Sequence, residues 1–314
     1  MKSLEKNLFC SNINEFYNKL GTENAEEFVL ESYMEKKKQE LQSRKKYWKL
    51  FLLKFNKIRY LKKIIQSKPI MLNNTLYDYA ADVFKNKQEY CELYNLLSDE
   101  ISKKTLLDVL AYKVTFDRGY LDLNMRPTQD QYLDSKIMKF TDREVVVDCG
   151  GYIGDNALTF FKYAKSASKY YLLEPDCNNL EHAKRILAEE PYNNIEYCLL
   201  ATGSENKTVC FSSNGAGGNI NNVGEIEIQM IKLDDFVKEP ISFIKMDIEG
   251  CEIDTLTGAF NQIKQNKPKL AICAYHKPDD LWKITKKVLS TRNDYKVFLR
   301  LYLSTFCETV LYFV

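Results

Sequence analysis

A series of short apolar runs, each stopped by an acid, a glycine or a small residue, sets the pattern of this chain. The first, Val145-Val146-Val147-Asp148-Cys149, has no polar alternation, as expected of a parallel strand covered on both faces. Gly150, Gly151 and Gly154 follow it, and residues 156–165 then read as a helix. A second run, 170–173, ends in Glu174-Pro175-Asp176 and leads into a helical stretch over 178–190, which Pro191 stops. A third strand, 195–200, ends at Ala201-Thr202-Gly203. Residues 207–213 and 225–233 alternate in polarity like a hairpin, joined by a glycine-rich tip over 214–219. A buried strand then reaches Lys245 and Asp247, turns at Glu249-Gly250 and passes to a helix over 252–263. The next strand, 268–274, ends at Tyr275-His276-Lys277, and Pro278-Asp279-Asp280 starts the following helix. Runs 295–301 and 307–314 close the sheet as a hairpin-like pair. Strands that alternate with helices predict an α/β fold with a doubly wound sheet.

The first third of the chain reads differently. Residues 1–110 hold one glycine, Gly21, and one proline, Pro69, so a helical N-terminal region is expected there, ahead of a sheet domain over 111–314. Residues 35–68 carry thirteen Lys or Arg against two Glu, with Trp48, Phe51, Phe55, Ile58 and Ile65 on one helical face. This basic amphipathic helix has three open readings: packing on its own domain, docking on an anionic membrane surface, or contact with an acidic protein. Residues 90–114 read as two further helices, with Ser98, Asp99 and Ser102 as caps between them. Arg126-Pro127-Thr128 breaks the pattern, and the segment 129–134 enters the sheet from above the first strand end. Tyr132 on it is either a cofactor contact or a core tyrosine.

Composition narrows the class. The 314 residues, 45% hydrophobic and 28% charged, are ordinary for a globular protein. A net charge of +2 argues against bulk nucleic-acid affinity. The nine cysteines form no C-x-x-C pair, and there are two histidines, so reduced thiols and no structural zinc are expected. No run reaches the about 18 apolar residues of a membrane span, and the N-terminus has no apolar signal core. A cytoplasmic protein is the expectation, with oligomeric state open.

The strand ends carry the candidate chemistry. A dinucleotide fingerprint needs G-x-G-x-x-G, whereas here the first glycine position is an acid, giving D-x-G-x-x-x-G from Asp148 to Gly154. A carboxylate there repels pyrophosphate but can receive the amino group of an amino-acid-bearing cofactor. Glu174, 26 residues after Asp148 at the end of the second strand, is placed to accept hydrogen bonds from ribose hydroxyls. Together the two acids favour S-adenosylmethionine over NAD. Small residues at 201–203 leave room for a flat adenine ring. Lys245 and Asp247 share one strand face, and charges there are costly unless paired or used. His276 stands at a strand end facing the crevice where open sheets bind ligands. His182 lies among charged helix residues and is given no role. Asp247, Glu249 and Glu252 cluster, but acids at a helix start have their own explanation, so no metal is expected.

The combination VVVDCGGYIGD, EPD, LDDF, IKMDIEGCE, AYHKPDDLW and ETVLY, in this order, resembles the FkbM family of S-adenosylmethionine-dependent methyltransferases. The resemblance covers roughly residues 90–314, and IKMDIEG is its most specific piece. It implies a class I methyltransferase fold: a Rossmann-like, doubly wound, seven-stranded sheet with the last strand antiparallel. It further implies that Asp148, Gly150, Tyr152 and Gly154 surround the methionine part of the cofactor. Glu174 would hold the ribose, Asp176 and Thr202 would lie near adenine, and Asp247 would sit beside the sulfonium. Family members act mostly as O-methyltransferases on sugars and other secondary metabolites, so a small-molecule or glycan acceptor is implied. A sugar hydroxyl needs a base, and His276 or Asp247 is the expected one, with Lys245 and Glu249 orienting the acceptor. An N-methyltransferase acting on an amino group, and a non-catalytic binding module, are the rival readings.

Overall fold

The computed structural model describes residues 8, 10–21, 32, 74–122, 124–164, 167–192, 194–213, 218–220, 226–303 and 308–314. The basic stretch 35–68 and the tip 214–217 lie outside the described residues. The chain divides into two compact units, one of residues 1–95 and 103–124 and the other of residues 96–102 and 125–314. The division expected at residue 110 falls inside a continuous helix, α4 (Glu100–Thr115).

The first unit's described elements are helices: α1 (Ile13–Leu20), α2 (Asn74–Lys85), most of α3 (Lys87–Leu96), most of α4 and the short α5 (Gly119–Asp122). Asn12 caps α1 by accepting the Glu15 amide, and Tyr17 donates its hydroxyl to the Val83 carbonyl at 3.1 Å. The buried Lys113 ammonium lies over the rings of Tyr79 and Tyr90, at 5.2 and 5.8 Å, which keeps its charge compensated away from water.

In the second unit, seven strands run in the order β10-β11-β9-β8-β1-β2-β3. They are β1 (Val145–Cys149), β2 (Lys169–Leu173), β3 (Ile195–Cys198), β8 (Phe243–Met246), β9 (Lys269–Cys273), β10 (Val297–Leu301) and β11 (Thr309–Phe313). β11 alone runs antiparallel to its neighbours β9 and β10, as the resemblance implied. β1 is central, and its apolar run is covered on both sides. Phe140 and Phe243 meet edge-on at 5.0 Å, and Phe160 meets Phe140 at 5.1 Å, each such pair contributing about 0.5–1.5 kcal/mol beyond area burial. Between them, helices α6 (Asp155–Ala164), α7 (Cys177–Leu187) and α11 (Asp280–Thr291) connect the parallel strands.

Three local departures from expectation have physical causes. The third strand stops at Cys198; Ala201–Thr202 forms a separate β4, which pairs with β7 (Ile226–Ile231) in a second sheet. That sheet also holds β5 (Lys207–Ser212) and β6 (Asn219–Ile220), with β5 and β7 paired antiparallel as the alternation required, and the short α8 (Leu233–Phe236) follows β7. The helix read over 252–263 is two, α9 (Glu252–Gly258) and α10 (Phe260–Asn266), because Ala259 leaves helical geometry at φ −108 and ψ 14. Segment 96–102 belongs with the sheet: Asp99 accepts the Ser102 amide as a cap and pairs with Arg300 at 2.6 Å.

Candidate active site

Parallel register brings the charged residues of the strands together. β1 and β8 pair Asp148 with Lys245, so the two side chains project from the same face of neighbouring strands. Lys245 Nζ stands 3.1 Å from Asp148 Oδ1, with the side chains 3% and 1% exposed. Tyr170 donates its hydroxyl to the other carboxylate oxygen at 2.8 Å. Burial alone would lower the Lys245 pKa, but Asp148 and Asp247 outweigh it and raise it, so the lysine stays charged. Its ammonium also donates to the Gly150 carbonyl at 2.5 Å and lies 5.1 Å from the Tyr132 ring centre. The ion-pair partner of Lys245 is therefore Asp148 on the next strand, while Asp247, just past the end of β8, faces other groups.

The glycine turn is fixed from both sides. Gly150 and Gly151 donate their amides to the Leu173 carbonyl at 2.9 and 3.0 Å. Gly150 has φ +77, and a Cβ there would stand 2.0 Å from the Asp247 carbonyl oxygen, so only glycine fits. Glu174 accepts the Tyr152 amide on one oxygen and the Asp176 amide on the other, both at 2.9 Å. Desolvation raises the Glu174 pKa, and these amides oppose that shift.

Asp247 lies just beyond the end of β8 and collects donors. Tyr132, itself at φ 65, donates its hydroxyl to Oδ2 at 2.7 Å, and Tyr275 donates to Oδ1 at 3.2 Å. His276 Nε2 is 3.3 Å from Oδ1 and 3.7 Å from Glu249, while its Nδ1 is 2.9 Å from Glu252 Oε1. These His276 contacts are charge contacts without hydrogen-bond alignment. Burial would raise the Asp247 pKa, but His276 and Lys245 overcome it and hold it well below the usual range. Burial alone would lower the His276 pKa; Asp247 and Glu252 reverse this and carry it up to about 10.

The sign of the consequence for stability follows. With the folded value near 10 and the unfolded value near 6.5, the folded protein holds the proton more tightly. This stabilisation is fully present below about 6.5 and lost as pH rises through 10. Melting temperatures measured from pH 6 to 10 should therefore fall more steeply for the wild type than for His276→Gln; equal slopes would refute the assignment.

A cleft of about 470 Å³ opens over these strand ends. Gly150, Tyr152, Glu174, Thr202, Lys245, Asp247, Glu249 and Tyr132 line it, which brings eight of the expected site residues to one place. Four expected residues are not among its lining. Asp148 lies behind Lys245, fully buried, so it does not present its carboxylate to a cofactor amino group. Gly154, at φ +84, gives close packing between turn and helix, since a Cβ would stand 2.9 Å from Leu187. Asp176 caps α7 through the amides of Asn178 and Asn179 and accepts the Ser213 hydroxyl, which occupies both its oxygens. His276 is held as an imidazolium near neutral pH and has no lone pair to act as a base.

The cleft also contains residues that sequence reading missed. Glu308 and Gln131 are 177 positions apart and meet at 2.5 Å, a pairing without any local signal. Gln131 also donates to the Tyr132 hydroxyl at 3.0 Å, linking Glu308 to Asp247. Phe211 and Ile220 of the second sheet form an apolar wall beside Ala201 and Thr202, whose hydroxyl bonds Thr255 at 2.8 Å. Among the described residues, Glu252, His276 and Asp280 bring a ring nitrogen and two carboxylate oxygens within 4.8 Å of one another. Asp280 there accepts the Lys277 amide at 2.6 Å. No helix among the described residues is long and apolar enough to cross a membrane.

The sheet order, the antiparallel strand between β9 and β10, and a cleft over the strand ends define a class I methyltransferase fold. Residues 148–303 match the methyltransferase FkbM domain, so the chain carries a domain of the FkbM methyltransferase family. The crystal structure of methyltransferase FkbM from Methylobacillus flagellatus KT is similar at 31% identity and a TM-score of 0.68, over 76% of this chain. The matched region spans 62% of that chain. An rRNA methylase from Streptococcus thermophilus (18% identity, TM-score 0.38) is matched over 60% of this chain and 95% of its own. Precorrin-6y C5,15-methyltransferase from Geobacter metallireducens GS-15 (13%, TM-score 0.37) is matched over 57% and 84%. No curated protein matches the chain.

The domain's cofactor is S-adenosylmethionine, and the cleft suits it. Its volume falls in the range of small-molecule sites. Glu174 keeps lone pairs beyond those used by two amides, as a ribose diol requires. An ionised carboxylate at Asp247 complements a sulfonium.

Proposed function

We propose that the protein methylates a hydroxyl of a sugar or glycan. The observation that carries this reading is the row of carboxylates, Asp247, Glu249 and Glu308, in the same cleft as Glu174 and the glycine turn. S-adenosylmethionine supplies an electrophilic methyl group on its sulfonium. In this reading Glu174 holds the ribose, Gly150 and Tyr152 flank the amino-acid portion, and Thr202 with Phe211 flanks the adenine. Asp247 keeps its charge close to the reacting centre. It is too well supplied with donors to be a strong base. Glu249 is the better base: desolvation raises its pKa, its side chain is 35% exposed and it lines the cleft. Lys245 acts on the turn, through the Gly150 carbonyl, rather than on the acceptor.

Calorimetric titration of the full chain with S-adenosylmethionine, against NAD, tests the cofactor site. Binding of the first alone is expected, with Glu174→Ala weakening it about tenfold or more, as loss of charged hydrogen bonds worth about 1.5–3 kcal/mol implies. Absence of binding in a folded sample would sink the reading. Sugars and aminated sugars then form the acceptor screen. An N-methyl reading has its own support, because three carboxylates at one end of the cleft complement an ammonium group. Fragmentation of the methylated product separates the two.

A further inference from the structure

We propose that Glu252 is a positioning residue for methyl transfer: a buried counter-ion that keeps His276 cationic and, through it, keeps Asp247 charged and oriented in the cleft. This rests on the methyl-transfer reading, yet its central claim concerns an ion pair that can be measured without cofactor.

The ring lies between two carboxylates, one near each nitrogen, and that arrangement favours a doubly protonated ring. Nδ1 faces Glu252 Oε1 at 2.9 Å and Nε2 faces Asp247 Oδ1 at 3.3 Å. A neutral imidazole has one N–H, so its other nitrogen would set a lone pair against a carboxylate. Only the imidazolium is positive at both nitrogens and so attracts both carboxylates. The Tyr275 ring lies beside the imidazole, tilted by 43° with centroids 4.2 Å apart. The other charged groups around it are Glu249 at 3.7 Å, Asp280, Glu308 and Lys277. Carboxylates outnumber the one lysine, and Lys277 directs its ammonium to the Gly250 carbonyl.

Glu252 is 1% exposed, and its Oε2 has no hydrogen-bond partner. A buried carboxylate is costly unless a charge meets it, and His276 is its ion-pair partner among the described residues. The same side chain accepts the Ile248 amide at 3.1 Å and the Gly250 amide at 3.5 Å. It therefore grips both the turn that follows Asp247 and the ring that abuts Asp247. That turn is strained, with Glu249 at φ 54, so a group that ties it down has a clear task.

The chain holds two histidines, and His182 is exposed, so imidazole nitrogen NMR on the full-length protein distinguishes them readily. At pH 7.5, without ligand, both nitrogens of His276 should carry protons. In Glu252→Gln the His276 titration midpoint should fall by about one pH unit or more, a tenfold loss of proton affinity. Glu252→Asp, the conservative variant, should retain part of the wild-type value and serves if the glutamine variant fails to fold. A neutral His276 in the wild type, or a midpoint unmoved by Glu252→Gln, would overturn the proposal. Calorimetry on the same samples reports separately on the cofactor: a cationic His276 in a protein that does not bind S-adenosylmethionine would refute the methyl-transfer role and leave the ion pair standing.

Discussion

Asp148→Ala is expected to destabilise the protein by about 3–5 kcal/mol, the usual cost of removing one partner of a buried ion pair. The expectation rests on where the register of β1 and β8 puts the charge. Lys245 cannot turn to solvent, because its side chain is 3% exposed and its ammonium is tied to the Gly150 carbonyl. Without Asp148 the lysine keeps only more distant anions, Asp247 foremost, and Tyr170 loses its acceptor. Urea denaturation monitored by fluorescence gives the number directly. Asp148→Ala combined with Lys245→Met should recover most of the loss, since both charges leave together. A single-variant loss below about 1 kcal/mol, the scale of an exposed pair, would show that the two charges are not coupled as described. Cofactor affinity should fall in the single variant as well, through the turn that Lys245 holds.

Asp148 also marks where reading the sequence stops. The strand, the glycine turn and the acid at the strand end are all legible, because β-branched runs and glycines act locally. Which way the carboxylate faces is not local. It depends on the register between two strands nearly a hundred residues apart, and that register points Asp148 at Lys245 instead of the cleft. Glu174 was legible for the opposite reason, since its place at the second strand's end leaves it in the crevice whatever the register. Asp176 shows a third case: an acid before a helix serves two masters on paper, and here the cap takes it. Tyr132 needed a contact across the whole domain, with Tyr312 and Asp247, to become part of the site. Glu308 opens the ETVLY piece of the resemblance, yet nothing local marked it as a cleft residue, because it stands in a closing hairpin that reads as plain sheet. Charge state is the last thing a sequence yields. His276 looks like a base until three carboxylates are placed around it.

Glu249→Gln is expected to lower kcat by about 10²–10⁴-fold, the contribution of a positioned general base, with S-adenosylmethionine affinity little changed. The choice of Glu249 over Asp247 and His276 follows from proton affinity and access. Asp247 accepts two tyrosine hydroxyls and abuts an imidazolium, all of which favour its charged form and weaken it as a base. His276 already holds its proton, with a pKa near 10. Burial pushes the Glu249 pKa upward while its side chain still reaches solvent, a combination that Asp247 and His276 lack. Being a base, it must be ionised to work, so turnover should decline as pH falls through its raised pKa, above the ordinary carboxylate range. Formation of S-adenosylhomocysteine with an acceptor found by the screen measures both effects. Asp247→Asn should reduce turnover and, by removing an anion that raises the Glu249 pKa, move that acid limb to lower pH without abolishing it, whereas Glu249→Gln should remove it. If the limb persists in Glu249→Gln and disappears in a Glu308→Gln variant, the base is Glu308, a half-buried acid of the same cleft whose pKa desolvation also raises. If the acceptor proves to be a neutral amine, no base is needed for attack, and Glu249→Gln should then act on acceptor KM more than on kcat.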